Sequence, residues 1–276
     1  MSFLLKKRLT LNLKIGIFDS GLGGLITMHG ARGALAGYDV VYLGDTANLP
    51  YGDKTQEQIY KFTKRALDYL FKHDCAIVFL FCNSASARAL RKLQREGYRV
   101  LGIIIPMVEE AQGNRVGVLA TQSTVDSGAY SRELEKAWPG VQVFQQAAPK
   151  LVPMIESGMS SYSSYEKLLD IYLKPLLAQN IDTLILGCTH YAIIKDRIRA
   201  LVPPSVRVIS QDELIGPKIT DYLTRHPEIE SQLSRNGRRE YFVTAHHPRF
   251  QNFGDFDRAS FGLVVLHDRG DGATDR

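Results

Sequence analysis

No apolar run in this sequence approaches the ~18 residues needed to span a bilayer, so no transmembrane helix is expected. Cysteine is scarce, with three in 276 residues. An odd, small number excludes a disulfide framework and fits a reducing, cytoplasmic setting in which the sulfurs remain thiols. Metal-binding spacings are missing as well. Neither Cys82 nor Cys188 has a second cysteine at motif distance, and Cys188-Thr-His190 is too tightly spaced to chelate, so no metal site is expected. Charge comes without long blocks. The formal net charge is +5, yet the basic residues are scattered, which suits a small anionic ligand better than a nucleic acid. At the amino terminus basic residues follow a very short apolar stretch, the reverse order of a secretion signal. Residues 1–13 are therefore expected to form a disordered or loosely docked leader.

What is present is enough apolar material, 45% of the chain, to bury a sizeable core in one large domain or two small ones. Short apolar runs bounded by Gly, Pro, Asp or Asn predict strands over 14–18, 39–43, 76–81, 99–105, 115–119, 141–144, 182–186 and 206–209. Segments of helical period fall between them, over 24–35, 55–71, 85–95, 125–137, 164–178 and 191–201. Such alternation specifies an α/β fold with mostly parallel sheet. A strand over 241–244 and an apolar stretch over 261–266 are expected to return to the first part of the chain.

Two local similarities recur in the same order. Lys14-Ile-Gly-Ile-Phe-Asp matches Arg115-Val-Gly-Val-Leu-Ala, and Ile77-Val-Phe-Leu-Phe-Cys82-Asn-Ser matches Leu184-Ile-Leu-Gly-Cys188-Thr-His. The glycines of the first pair lie 101 residues apart and the cysteines of the second 106 apart, which points to two similar α/β lobes in tandem. The expected division places residues 1–106 plus 217–276 in one lobe and 107–216 in the other. Ligands of parallel sheets bind beyond the carboxyl ends of the strands, where Asp19, Cys82, Thr121 and Cys188 all fall. Facing lobes would bring the two cysteines to one ligand from opposite sides.

Cys82 and Cys188 each end a strand and precede a helix, where free backbone amides and the helix dipole favour a thiolate. A single cysteine in an α/β core is more often a packing residue, and that reading is kept for Cys75, which opens its strand without polar followers. For the other two, the polar followers Asn83-Ser84 and Thr189-His190 favour chemistry. Asp19-Ser-Gly-Leu-Gly-Gly24 is a tight turn into a helix, suited to holding a carboxylate on backbone amides, and it lacks the glycine spacing of a dinucleotide fingerprint. Asp45-Thr-Ala-Asn-Leu-Pro-Tyr-Gly52 is rich in turn formers and reads either as a cover for substrate or as a plain surface turn.

In these motifs the chain resembles the glutamate racemases. The resemblance rests on Gly16-Ile-Phe-Asp-Ser-Gly-Leu-Gly-Gly-Leu25, Gly44-Asp-Thr-Ala-Asn-Leu-Pro-Tyr-Gly-Asp53, Cys82-Asn-Ser-Ala-Ser-Ala87, Leu151-Val-Pro-Met-Ile-Glu156 and Leu186-Gly-Cys-Thr-His-Tyr191. It implies two Rossmann-like or flavodoxin-like lobes with the active site in the cleft between them. The implied reaction interconverts L- and D-glutamate without a cofactor and supplies D-glutamate for peptidoglycan, and the implied assembly is a homodimer. By the same resemblance Cys82 and Cys188 are the acid/base thiols, the first taking the proton from D-glutamate and the second from L-glutamate. Asp19 assists Cys82 and His190 assists Cys188. Ser20, Tyr51, Gly52, Asn83, Ser84, Thr121, Thr124 and Thr189 then fall in the substrate-binding set, with Glu156 nearby. Ser84 stands where the family usually has Thr, and Ala148 replaces a frequent cysteine.

The chemistry fits. Inverting an α-carbon requires a base on one face and an acid on the other. Rival readings are an aspartate racemase or thiol-dependent decarboxylase of the same fold, against which His190 argues, and a non-catalytic two-lobed binding protein, which would have no use for the thiols.

Overall fold

The computed structural model describes residues 12–158, 162–247, 249 and 261–267. Its strands are β1 (Lys14–Asp19), β2 (Val40–Gly44), β3 (Cys75–Leu80), β4 (Val100–Gly102), β5 (Arg115–Ala120), β6 (Gln142–Ala147), β7 (Thr183–Gly187), β8 (Arg207–Ile209), β9 (Arg239–Val243) and β10 (Phe261–Leu263). The central strands are buried along nearly their whole length, as expected where helices cover both faces of a sheet. Six strands form one sheet in the order β10-β9-β2-β1-β3-β4 and four form a second in the order β6-β5-β7-β8. Every pairing is parallel.

The run β2-β1-β3-β4 in the first sheet has the same connectivity as β6-β5-β7-β8 in the second. The sequence similarities noted above therefore sit on equivalent strands, β1 with β5 and β3 with β7. Cys82 and Cys188 follow β3 and β7, so they occupy equivalent places in the two halves. The tail adds β9 beside β2, in register from Val40 opposite Arg239 to Gly44 opposite Val243. The helix Gln211–Arg225 crosses residue 217 without a break.

Several predicted elements are interrupted. The segment 24–35 is two helices, Gly23–Gly30 and Arg32–Leu35. The segment 85–95 divides at Ala89 into Asn83–Arg88 and Leu90–Arg95. The segment 125–137 divides into Gln122–Ser127 and Ala129–Ala137, because Gly128 takes a left-handed conformation with φ of 63° that stops the first helix. The predicted strand 99–105 shortens to β4, and Ile104–Glu110 is helical. Residues 1–11 of the expected leader lie outside the described residues, while Leu13 forms a parallel bridge to Leu233.

One hydrophobic cluster contains Ile17 and Phe79 of the first sheet together with Val116, Val118 and Ile185 of the second. A shared apolar core of this kind fixes the two sheets against each other, so the strand ends on either side meet at a defined distance. Among the described residues no helix is long and apolar enough to cross a membrane.

Candidate active site

β1 and β3 pair in parallel, with Phe18 opposite Leu80, so the residues that leave their carboxyl ends emerge side by side. Asp19 and Ser20 leave β1, and Cys82 leaves β3. Ser20 Oγ lies 3.5 Å from Cys82 Sγ. Cys82 occupies the cap position before the helix Asn83–Arg88, and the Ala85 amide favours its charged form. Burial outweighs that help. Together with the negative charge of Asp19 it pushes the Cys82 thiol up to about 12. The resting form on this side is a neutral thiol. Asp19 is fully buried, accepts a hydrogen bond from the Gly21 amide at 2.9 Å, and its Oδ2 makes no hydrogen bond of ordinary length among the described residues. Desolvation raises it to about 6, against the opposing pull of His190, the Gly21 amide and the more distant Thr189 hydroxyl.

The second thiol has the opposite kind of neighbour. Cys188 leaves β7, and its Sγ stands 3.8 Å from His190 Nδ1. His190 Nε2 is joined to Glu156 Oε1 in a short contact, and Glu156 Oε1 also accepts the Leu22 amide at 3.1 Å. Burial by itself would discharge the imidazole. Cys188 and Glu156 more than offset it, holding His190 well above its usual range as a cation. His190 in turn, helped by the Leu22 amide and by His247, holds Glu156 below the usual carboxylate range despite its burial. One sulfur is thus flanked by an anion and the other by a cation, and the charge of Cys188 adds to the upward push on Cys82.

A hydroxyl cluster joins the lobes beside the thiols. Ser84 Oγ lies 3.0 Å from Thr121 Oγ1 and 3.4 Å from Thr124 Oγ1, and Thr121 caps the helix Gln122–Ser127 by accepting the Thr124 amide. On the other side of the site the turn after β1 presses against the second lobe. A Cβ added to Gly23 would sit 2.3 Å from Thr189 Oγ1 and 2.5 Å from the His190 amide nitrogen, so only glycine permits this approach.

A model of the Asp/Glu/Hydantoin racemase family matches residues 28–212. The chain belongs to this racemase family. A glutamate racemase of Desulforudis audaxviator is 41% identical over 201 residues, covering 71% of this chain and 73% of that protein. A glutamate racemase of Aquifex aeolicus is 40% identical over 216 residues, or 76% and 84% of the two chains. Among solved structures, glutamate racemase from Francisella tularensis in complex with D-glutamate matches with a TM-score of 0.83 and 31% identity, covering 92% of this chain and 98% of that one.

Within this racemase fold the predicted site residues divide into two groups. Asp19, Ser20, Cys82, Ser84, Thr121, Thr124, Glu156, Cys188, Thr189 and His190 are all buried, the strand-end residues and the first turns that follow them being joined by Glu156 from the end of the helix Leu151–Glu156. Tyr51 and Asn83 are buried too, but their polar groups are engaged elsewhere. The Tyr51 hydroxyl donates to Asp45 Oδ2 at 2.6 Å and its ring packs on Phe18 and Phe62. Asn83 donates to Gln211 Oε1 at 2.6 Å and accepts from the Tyr130 hydroxyl at 2.7 Å, so its side chain ties the lobes together. Gly52 abuts Thr121 across the same seam. Cys75 lies at the opposite end of β3, against Gly16, and burial raises its thiol to about 12.

Sequence reading missed Gln211, Tyr130 and His247. His247 Nε2 stands 3.3 Å from Glu156 Oε2. It follows β9 at the carboxyl end, so the strand-end rule that located Asp19 and both thiols reaches it as well. A cavity of about 690 Å³ lined by Phe79, Arg91, Leu101, Ile104, Glu133 and Tyr222 among others contains none of the predicted site residues. The thiol cluster itself is closed, with Cys82 4% and Cys188 6% exposed.

Proposed function

We propose that this chain is a glutamate racemase in which Cys82 and Cys188 act as the two acid/base groups on opposite faces of the α-carbon, with no cofactor. The observation that carries the reading is the equivalent placement of two buried thiols after β3 and β7, each with its own ionisable neighbour of opposite sign. With L-glutamate, Cys188 as thiolate removes the α-proton while imidazolium His190 balances the sulfur charge. The resulting carbanion takes a proton from the neutral Cys82 on the other face, and the two thiols exchange roles for the reverse direction. Asp19 assists Cys82, and His190 with Glu156 assists Cys188. Ser20, Ser84, Thr121, Thr124 and Thr189 supply hydroxyls that rotate to meet the carboxylates and ammonium of the substrate. Tyr51, Gly52 and Asn83 shape the wall that carries them. The same reading takes residues 1–106 plus 217–276 as one lobe and 107–216 as the other, and it includes a cytoplasmic homodimer that supplies D-glutamate for peptidoglycan. The resemblance of the quoted motifs supports these last features.

The test separates the two half-reactions. Elimination of chloride from β-chloroglutamate needs proton removal and no proton return, so one thiol suffices for each enantiomer. Cys82→Ala should process only L-threo-β-chloroglutamate and Cys188→Ala only the D form, while neither racemises glutamate. If both variants process both enantiomers, a single mobile base replaces the two-thiol mechanism. A chiral assay with glutamate and aspartate checks the substrate, and turnover of aspartate alone would overturn that assignment.

A further inference from the structure

Directly after β9, the segment of residues 244–247 and Arg249 leaves the first sheet and reaches the second lobe before β10 returns to pair with β9. It is anchored at its start: Thr244 Oγ1 donates to Asp45 Oδ1 at 2.7 Å, and Thr46 and Ala245 exchange hydrogen bonds at 2.6 and 2.8 Å. Its far end is anchored across the cleft, where Arg249 Nη1 donates to the Ile155 carbonyl oxygen. Between these anchors His247 reaches Glu156, one residue beyond Ile155. Glu156 has two oxygens with different duties. Oε1 takes His190 and the Leu22 amide, while Oε2 is buried, makes no hydrogen bond of ordinary geometry among the described residues, and has His247 Nε2 beside it at 3.3 Å. The side chains therefore form a line from the tail to the thiol: His247, Glu156, His190, Cys188.

We propose that His247 is a positioning residue for Cys188, acting through Glu156 and His190. The inference rests on the two-thiol reading given above. A buried carboxylate whose second oxygen lacks a neighbour is free to rotate, and rotation would carry Oε1 away from His190 Nε2. His247 fixes the carboxylate plane and lowers the cost of keeping it charged. The strap that carries His247 is held at both lobes, so the alignment is complete only when the lobes are together.

Only one half-reaction depends on this line, which makes the idea testable. In His247→Ala, elimination from L-threo-β-chloroglutamate should fall by about tenfold while elimination from the D form stays within about twofold of wild type. Racemisation should fall by the same factor in both directions, since one equilibrium links them. His247→Gln retains a donor of similar reach and should recover L-form elimination to within about threefold of wild type. A merely structural role of the strap would depress both enantiomers together, and that result, an unchanged L rate, or a loss confined to the D form would overturn the proposal. Melting curves of both variants check for a folding defect, and they should match wild type, because the His247 side chain is 20% exposed. Cys82→Ala and Cys188→Ala run alongside keep the two questions apart. If they divide the enantiomers as expected and His247→Ala does not, only the present inference fails. If they do not divide them, the two-thiol reading fails and this inference with it.

Discussion

Asp19 shows how a site residue can work against the fold that holds it. Burial raises its carboxyl to about 6 from an ordinary 3.8. An acid whose folded pKa lies above its unfolded value favours folding most while protonated, so this contribution is full below about pH 4 and is lost as the pH rises through about 6. The difference is on the order of 3 kcal/mol. Asp19→Asn removes the ionisation and should raise the urea midpoint relative to wild type at pH 7.5, with the gap closing near pH 4, while racemisation falls because the anion beside Cys82 is gone. A lower midpoint for the variant at pH 7.5 would show that the charged form is held more tightly than its burial indicates. The strand-end position and the polar followers made Asp19 and both thiols readable as residue types in a string. That Asp19 faces Cys82 while His190 faces Cys188 was not readable from spacing, since the first contact spans more than sixty residues.

At the scale of elements, local chemistry decided more than periodicity. Thr55 caps the helix Gln56–Lys72 and forms a capping box, accepting from the Gln58 amide while the Gln58 side chain accepts from Thr55. The helical period placed this boundary to within one residue, and the cap in the neighbouring side chains fixes it. Thr55→Ala should lower stability by about 1 kcal/mol in a denaturant titration and leave kcat/KM unchanged, since the cap is exposed and outside the site. A change in turnover would mean that this helix positions the site. The breaks at Ala31, Ala89 and Gly128 escaped the periodicity, because two short helices packed on one sheet keep the apolar stripe of a single long one. Only the left-handed backbone at Gly128 had a visible sign, the glycine itself.

The whole molecule works through the contact between its lobes. Gly23 lies where the first lobe touches Thr189 and His190 of the second, and the neighbours that a Cβ would meet include backbone, which no rotamer change relieves. Gly23→Ala should displace the partner of Cys188 and lower kcat/KM by about a hundredfold, the scale of an ångström of misplacement at reacting groups. Overpacking should cost about 1–3 kcal/mol of stability besides. Gly33→Ala, with nothing within 4 Å of the added carbon, serves as the control and should change neither. Equal turnover in the two variants would show that the lobes move apart freely enough to absorb a methyl group.

By itself the sequence determined the α/β class, the succession of strands along the chain, the two matching pairs of strand ends and the two cysteines proposed here as acid/base groups. These follow from short-range signals: apolar runs, turn residues and the polar residues that trail a strand end. Tertiary structure alone decided which groups share a charge environment. The Glu156 carboxylate meets His190 and His247 from two different lobes, Asn83 is bound to Gln211 and Tyr130, and Ser84 joins Thr121 across the seam. Each of these contacts closes a loop of more than thirty residues, and the burial that makes it strong exists only when both sheets are packed on their common core.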